Sequence, residues 1–259
     1  MENVKKTDLS DKLTILIAAK ADSEDRLTNL KITLDYINYH FDVPIILSEQ
    51  DETPKLDNIC KEKNVKHIFF ETSDFFNRQK GVNICAKKAL TPVIAHYDAD
   101  ILLKPQQINA AVKTILNKSA DIVYPYDGHF YDIPKHYHKQ IAETKNLNCV
   151  NLKECYLFNS HSVGGVVIFD RKHYWKCGGA NENFKGLGYE DNEIYGRFKK
   201  LDSKIVRTQW PLYHLTHVRK DTSYDHNPYL ELNKRESLRI RDLSKEQLLA
   251  DIADWNWLK

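Results

Sequence analysis

The sequence predicts an α/β fold in which helices flank a mostly parallel central sheet. Between residues 13 and about 125, short apolar segments with strand character alternate with segments whose apolar residues recur at helical spacing. The chain has 259 residues, 42% of them hydrophobic, which is enough for one sizeable core. The sequence contains neither internal repeats nor a Pro/Gly-rich linker. We therefore expect a single domain.

The elements of the first half follow one another clearly. The strand-like segments are LTILIAA (13–19), PIILSE (44–49), KHIFFE (66–71), PVIAHYDAD (92–100) and ADIVYP (120–125). The helix-like segments run from Glu24 to about His40, then over KLDNICKEKN (55–64), NRQKGVNICAKKAL (77–90) and residues 105–117. This alternation predicts parallel strands joined by right-handed crossovers.

The pattern weakens in the second half. Periodicity fades between about Asp127 and Ser160, and a long irregular segment in a compact domain is usually a functional loop. From about Leu230 the period is again helical, and two tryptophans stand near the end. We expect this C-terminal segment to cap the core, with contact to a membrane surface as the alternative.

Two carboxylates end the strand-like segment 92–100. Asp98 and Asp100 form a D-x-D motif after an apolar run. Desolvating a carboxylate is costly unless a partner compensates for it, and ligands of parallel sheets bind beyond the carboxyl ends of the strands. The motif therefore indicates a metal site at this edge, the alternative being a solvated turn.

Six of the nine glycines lie within residues 164–188, just before an acid pair, Glu190 and Asp191. Glycine lets a backbone approach a ligand closely. The two acids open a predicted helix, where negative charge is favourable even without a further role. The pattern thus indicates either a ligand-facing acid pair or ordinary helix N-terminal charge.

His214 and His217 form a third group. Paired imidazoles with a carboxylate suit manganese or zinc. A spacing of three puts the two side chains on opposite faces of a strand, whereas on a turn or helix both could converge. From the residues alone, we expect one ligand rather than two.

Five segments in order resemble the motifs of β-1,4-galactosyltransferases and related N-acetylgalactosaminyltransferases, which are inverting glycosyltransferases of the GT-A fold. The segments are FFNRQKGVNIC, HYDADILL, SVGGVVIF, CGGANENFKGLGYEDNEIYGRF and HLTHVRKDTSYDHNP. The resemblance implies a Rossmann-like nucleotide-sugar-binding fold. It divides the single domain 1–259 into a nucleotide-binding half (about 13–125), a donor and acceptor half (about 126–228) and a C-terminal helical segment (229–259).

The resemblance also implies a set of metal and donor residues. Asp100 corresponds to the manganese ligand and His217 to a second ligand, while His214 falls where the family places a third. The implied donor-binding residues are Phe76, Arg78, Asp98, Ser162, Gly164, Gly165 and Gly188, of which Phe76 and Arg78 correspond to uridine contacts.

The acid pair is implied to bind the acceptor, with Asp191 as the base and Glu190 beside it. The implied reaction moves galactose or N-acetylgalactosamine from a UDP-sugar to a glycan acceptor, with manganese, or alternatively magnesium, as cofactor. A cation would neutralise the leaving diphosphate, and a carboxylate would take the acceptor proton. The alternatives are a nucleotidyltransferase and a catalytically silent UDP-sugar- or glycan-binding protein.

Three positions depart from the galactosyltransferase pattern. Lys185 and Leu187 stand where the pattern has tryptophans, so acceptor stacking is not expected there. Ser162 replaces a bulky aromatic residue and leaves room for an acetamido group. N-acetylgalactosamine is therefore at least as plausible a donor sugar as galactose.

Composition excludes some partners and indicates a compartment. Because 38 basic residues balance 36 acidic ones, no nucleic-acid partner is expected. Five cysteines without a C-x-x-C motif are typical of free thiols in a reducing compartment. The first apolar run, 13–19, is too short for a membrane span. We expect a cytoplasmic protein, or one bound peripherally at the inner face of a membrane, that serves surface polysaccharide or glycolipid synthesis in a bacterium.

Overall fold

The computed structural model describes residues 6–218 and 227–259, so residues 219–226 of the last motif, 214–228, lie outside the described residues. The strands in chain order are β1 Thr7–Asp8, β2 Leu13–Ala19, β3 Phe41–Asp42, β4 Ile45–Asp51, β5 Lys66–Glu71, β6 Val93–Tyr97, β7 Ile101–Leu102, β8 Ile122–Tyr124, β9 Phe130–Ile133, β10 Tyr156–Asn159, β11 Val166–Asp170, β12 Ile205–Arg207 and β13 Leu212–Leu215. The helices are α1 Glu24–His40, α2 Asp57–Glu62, α3 Arg78–Lys88, α4 Pro105–Leu116, α5 Lys135–Thr144, α6 Arg171–Lys176, α7 Glu190–Lys200, α8 Leu230–Asp242 and α9 Lys245–Ala253.

The larger sheet has the strand order β12-β8-β11-β6-β2-β4-β5 within the described residues. Strands β6, β2, β4 and β5 are parallel, as the sequence predicts. Strand β11 is antiparallel to both of its neighbours, because the chain enters it at the carboxyl edge, with Val166 opposite Tyr97 at the end of β6. The α/β prediction is confirmed, but the sheet is mixed.

A smaller sheet, with the order β10-β9-β13-β7, lies beyond that carboxyl edge. It contains much of the segment 127–160, which the fading periodicity predicts to be irregular. That prediction is wrong. The segment forms β9, α5, two 3-10 turns and β10. Its pattern is weak because few residues of α5 are buried and every residue of β10 is exposed.

One cluster of buried apolar side chains joins the larger sheet to α1, α3 and α4. Fully burying a Leu or Ile side chain contributes about 1.5–3 kcal/mol, so this cluster makes the sheet a rigid platform. Helix α3 lies especially close to the sheet at Gly81, where a Cβ atom would stand 2.6 Å from Ser48 Oγ. A residue with a side chain at this position would push away the helix that carries Arg78.

The C-terminal segment is two helices rather than one. Helix α8 ends at Asp242, and Ser244 caps α9, because its side chain accepts from Gln247 N and the Gln247 side chain accepts from Ser244 N. Trp255 is buried and Trp257 Nε1 donates to Gly178 O at 2.9 Å. Both tryptophans therefore pack against the folded chain.

No helix among residues 6–218 and 227–259 has the length and apolar character needed to cross a bilayer.

Candidate functional site

A cavity of about 490 Å³ opens at the carboxyl edge of the larger sheet. This volume is in the range of small-molecule binding sites. All twelve residues that the sequence analysis selects line it: Phe76, Arg78, Asp98, Asp100, Ser162, Gly164, Gly165, Gly188, Glu190, Asp191, His214 and His217. Residues separated by more than 130 positions in the sequence are thus brought to one site.

Three of these residues form a cluster that could hold a metal ion. Asp100 directly precedes β7, His214 lies in β13, and His217 follows the end of β13. The Nε2 atoms of His214 and His217 lie 3.5 and 3.2 Å from Asp100 Oδ2, and the three ligand atoms are within 4.8 Å of one another. The turn after β13 brings both imidazoles to the same carboxylate, so the geometry allows two histidine ligands where the residues alone favour one.

The second ring nitrogen of each histidine is bound elsewhere. His214 Nδ1 donates to Asp132 Oδ1 at 2.7 Å, and His217 Nδ1 donates to the Val218 carbonyl at 3.0 Å. Each Nε2 therefore remains as the atom that faces Asp100. Two imidazole nitrogens and one carboxylate fit a divalent transition ion better than Ca²⁺ or Mg²⁺, which prefer oxygen ligands.

Asp100 and His214 each shift the pKa of the other. Burial works to raise the pKa of Asp100, but the two histidines outweigh it and hold this pKa well below its usual range. Burial works to lower the pKa of His214, but Asp100 and Asp132 outweigh it and raise this pKa to about 9. The metal-free cluster thus holds a proton on His214 at neutral pH, in the place where a cation could bind.

Arg78 is the hub of the other charged group in the cavity. Its Nη1 donates to Asp98 at 2.9 and 3.0 Å, and its Nη2 donates to Glu190 Oε1 at 2.9 Å and to Asp191 Oδ1 at 2.5 Å. The residue is 6% exposed, and the N-cap Asn77 places it in the first turn of α3. In this structure its guanidinium binds three carboxylates.

One buried cation cannot fully compensate three acids. Burial raises the pKa of Asp98 to about 6 against the opposing charge of Arg78. Burial likewise raises the pKa of Glu190, and the neighbouring Asp191 adds to the shift while Arg78 opposes it. Carboxylic acids whose pKa values move toward neutrality inside a cavity are typical of functional sites.

Glycines and a turn fix the acid pair. A Cβ atom on Gly164 would stand 2.3 Å from Asp191 Oδ2, so a larger residue would displace that carboxylate. Gly188 has φ +126°, a conformation that favours glycine, and its N–H donates to Glu190 Oε2 at 2.5 Å. The N-terminus of α7 is thereby held against the loop that leads into β11.

Ser162 and Phe76 are both buried at the cavity wall. Ser162 Oγ accepts from Gly164 N at 3.2 Å, and its carbonyl accepts from Arg207 at 2.8 Å. Lys185 and Leu187 stand where the galactosyltransferase pattern has tryptophans. Leu187 lines the cavity, whereas the Lys185 ammonium lies over the ring of Tyr229, 5.2 Å from its centroid.

Sequence reasoning missed three residues near the site. Lys20 and Arg26 line the cavity and bring positive charge to it. Lys20 directly follows β2, so the rule that ligands bind at the carboxyl ends of strands could have found it. Asp132 has no sequence signal, because its role depends on the pairing of β9 with β13.

A family model described as the N-terminal domain of galactosyltransferase matches residues 145–221, which include Ser162, the acid pair and both histidines of the cluster. The chain is also similar to beta-1,4-galactosyltransferase 7 of Homo sapiens and of Mus musculus. Each is 24% identical over 204 residues, which cover 76% of this chain and 52% of the relative.

The chain thus spans about half the length of the curated relatives it matches. The resemblance drawn from the five motifs is confirmed. These matches show that the chain is similar in sequence to the beta-1,4-galactosyltransferases, and the α/β architecture agrees with that similarity.

Proposed function

We propose that the chain is a metal-dependent, inverting glycosyltransferase that moves galactose or N-acetylgalactosamine from a UDP-sugar to a hydroxyl of a glycan acceptor. One observation carries the proposal: a single cavity contains both the Asp100–His214–His217 cluster and the acid pair bound by Arg78. Transfer from a nucleotide sugar needs charge compensation at the departing diphosphate and a base that takes the proton of the acceptor hydroxyl, and these two groups are suited to those tasks.

Asp100, His214 and His217 would hold the metal ion. A bound divalent ion would offset the negative charge that grows on the departing diphosphate. Lys20 and Arg26 add positive charge on the same cavity wall. Two nitrogen ligands favour Mn²⁺ over Mg²⁺ as the ion.

Asp191 is proposed as the general base. Arg78 binds its Oδ1, and its Oδ2 lies against Gly164, so the carboxylate has a fixed orientation. The acceptor oxygen forms its bond to the anomeric carbon as its proton passes to Asp191. The bond from that carbon to the diphosphate breaks, and its electron pair leaves with UDP. A single displacement of this kind inverts the anomeric configuration, and Glu190 supports it through the shared Arg78.

The donor sugar is proposed from two observations. The curated relatives are named as galactosyltransferases, which supports galactose. The small Ser162 side chain at the cavity wall supports N-acetylgalactosamine, because it leaves space where an aromatic ring would exclude an acetamido group.

The acceptor is proposed to be a glycan of a bacterial surface polysaccharide or glycolipid, built in the cytoplasm or at the inner face of a membrane. The cysteines of the described residues are free thiols, which fits a reducing compartment.

The function is tested by measuring UDP release with Mn²⁺ and with EDTA. The donors are UDP-galactose, UDP-N-acetylgalactosamine, UDP-glucose and UDP-N-acetylglucosamine. We expect metal-dependent release from the first two sugars. We also expect UDP to bind more tightly than GDP or ADP in calorimetry. Equal affinity for the three diphosphates, or release that EDTA does not reduce, would contradict the proposal.

A further inference from the structure

We propose that Asp132 is a positioning residue for the metal site: it orients His214 so that Nε2 points at the ion, and it thereby sets the affinity for nitrogen-preferring cations. This inference rests on the proposed metal site at Asp100, His214 and His217. Asp132 itself does not line the cavity, so its effect would pass through the imidazole.

The register of the smaller sheet places the participants in one row. His214 on β13 is opposite Asp132 on the parallel strand β9, and opposite Ile101 on the antiparallel strand β7. Asp100 directly precedes Ile101, and its carbonyl accepts from Leu215 N at 2.8 Å. Backbone pairing therefore holds the two carboxylates on either side of the imidazole.

Two contacts orient the His214 ring. Nδ1 donates to Asp132 Oδ1 at 2.7 Å, and the ring lies 5.3 Å from the ring of Phe130, centroid to centroid. The side chains of His214 and Asp132 are 12% and 18% exposed, so water competes little for this bond. A carboxylate that accepts from Nδ1–H fixes the tautomer, leaves Nε2 as the ligand atom and raises its basicity.

His217 is held differently. Its Nδ1 donates to the carbonyl of the next residue, Val218, which is a local backbone contact. Removing Asp132 would therefore loosen one imidazole and leave the other in place. Asp100 and His217 would remain as a weaker pair of ligands. This pair has one oxygen and one nitrogen, whereas the complete cluster has one oxygen and two nitrogens.

The variants Asp132→Ala, Asp132→Asn and His214→Ala test the proposal, with Mn²⁺ alone as the probe. Binding is followed by the electron paramagnetic resonance signal of free Mn²⁺, and Mg²⁺ is titrated in competition. Asp127→Ala is the matched control, because Asp127 Oδ1 accepts from His129 Nδ1 at 3.0 Å in a similar carboxylate–imidazole pair away from the cavity.

We expect Asp132→Ala to weaken Mn²⁺ binding by about 10- to 100-fold, which is the usual effect of losing such a partner. Mg²⁺ binding should change less, because Mg²⁺ depends little on nitrogen ligands. Asp132→Asn keeps an acceptor oxygen without the charge, so its affinity for Mn²⁺ should fall by roughly three- to tenfold. Asp127→Ala should bind both ions as the parent does.

Mn²⁺ affinity within about twofold of the parent in both Asp132 variants would overturn the proposal. Equal losses for Mn²⁺ and Mg²⁺ would also overturn it, since a general structural defect affects both ions. If Asp132→Ala does not fold, Asp132→Asn decides by the same criteria. Unchanged Mn²⁺ binding in His214→Ala would show that His214 is not a metal ligand, and the proposal for Asp132 would then be wrong. Because the probe is the metal alone, failure of sugar transfer would be a separate result.

Discussion

The Asp191 carboxylate lies directly against the backbone of Gly164, where an added methyl group would stand 2.3 Å from Asp191 Oδ2. Gly164→Ala should therefore displace Asp191 and lower the transfer rate by at least about tenfold, as misplacing a catalytic group commonly does. Mn²⁺ affinity should stay unchanged. The matched control is Gly196→Ala on the same helix as Asp191, because a Cβ atom there meets nothing within 4 Å. Full transfer activity in Gly164→Ala would contradict the assignment of Asp191.

The two acidic groups of the cavity should respond differently to neutralisation. Asp100→Asn should weaken Mn²⁺ and UDP-sugar binding together, because Asp100 is a proposed ligand of the ion that meets the diphosphate. Asp191→Asn should leave both affinities nearly intact while transfer falls by roughly two to four orders of magnitude. Calorimetry and UDP-release kinetics measure the two effects. The proposed mechanism is wrong if Asp191→Asn loses Mn²⁺ as severely as Asp100→Asn does.

Replacing Arg78 should destabilise the fold more than a surface arginine does. Arg78→Met leaves three buried or partly buried carboxylates without their cation, which should cost about 3–5 kcal/mol in the free energy of unfolding at pH 7.5. Urea denaturation measures the loss. Arg235→Met is the control, because the Arg235 side chain is 72% exposed in its pair with Glu231, and it should change stability by less than about 1 kcal/mol. Equal losses of stability in the two variants would be evidence that Arg78 does not stabilise the three carboxylates.

Glu190 should make the metal-free protein less stable as the pH rises from about 5 to 7.5. Burial raises its folded-state pKa above the usual 4.5, so the folded chain holds this proton more tightly than the unfolded chain does. The stabilisation is complete below pH 4.5 and is lost as the pH rises through the folded pKa. In Glu190→Gln, unfolding free energies measured in EDTA should fall less over this range, by roughly 1–3 kcal/mol. Parallel pH profiles for the two proteins would refute this.

The Ser162 side chain should decide which donor sugar is accepted. We expect the parent protein to use UDP-N-acetylgalactosamine at least as well as UDP-galactose. Ser162→Tyr fills the cavity wall and should lower the rate with the acetamido donor selectively, as judged from the ratio of kcat/KM values for the two sugars. Ser160→Tyr, at an exposed neighbouring position, should leave that ratio unchanged. A constant ratio in Ser162→Tyr would show that another residue selects the sugar.

Local patterning predicted the first half of the fold well. The bounds of β2, β5 and α1 coincide with the predicted segments 13–19, 66–71 and Glu24 to about His40. These elements have strong periodicity or clear caps, such as Ser23, whose side chain accepts from Arg26 N. Twelve of the cavity-lining residues were also selected from the sequence, some because motifs mark strand ends and glycine-rich turns and the others through the resemblance to β-1,4-galactosyltransferases, whereas Lys20 and Arg26 were not.

Features that depend on remote pairing were not predictable in this way. The direction of β11 is set by where the chain re-enters the sheet, and the sequence of a strand does not encode its direction. Helix α5 buries only part of its surface, so its period is faint. The Asp132–His214 contact joins residues 82 positions apart and arises from strand register alone.

The division of labour between the two sheets has a consequence for how such a protein can diversify. The proposed cation ligands and Asp132 are carried by strands of the smaller sheet or by residues next to them, while Asp98, Gly165 and Arg78 belong to the ends of the larger sheet and its helix. Under the proposed function, a substitution at Asp132 would alter the choice of metal without changing the residues that line the cavity, and changes around Ser162 would do the reverse. If the proposed function holds, metal preference and donor preference are separable traits in this architecture, and each can be selected alone.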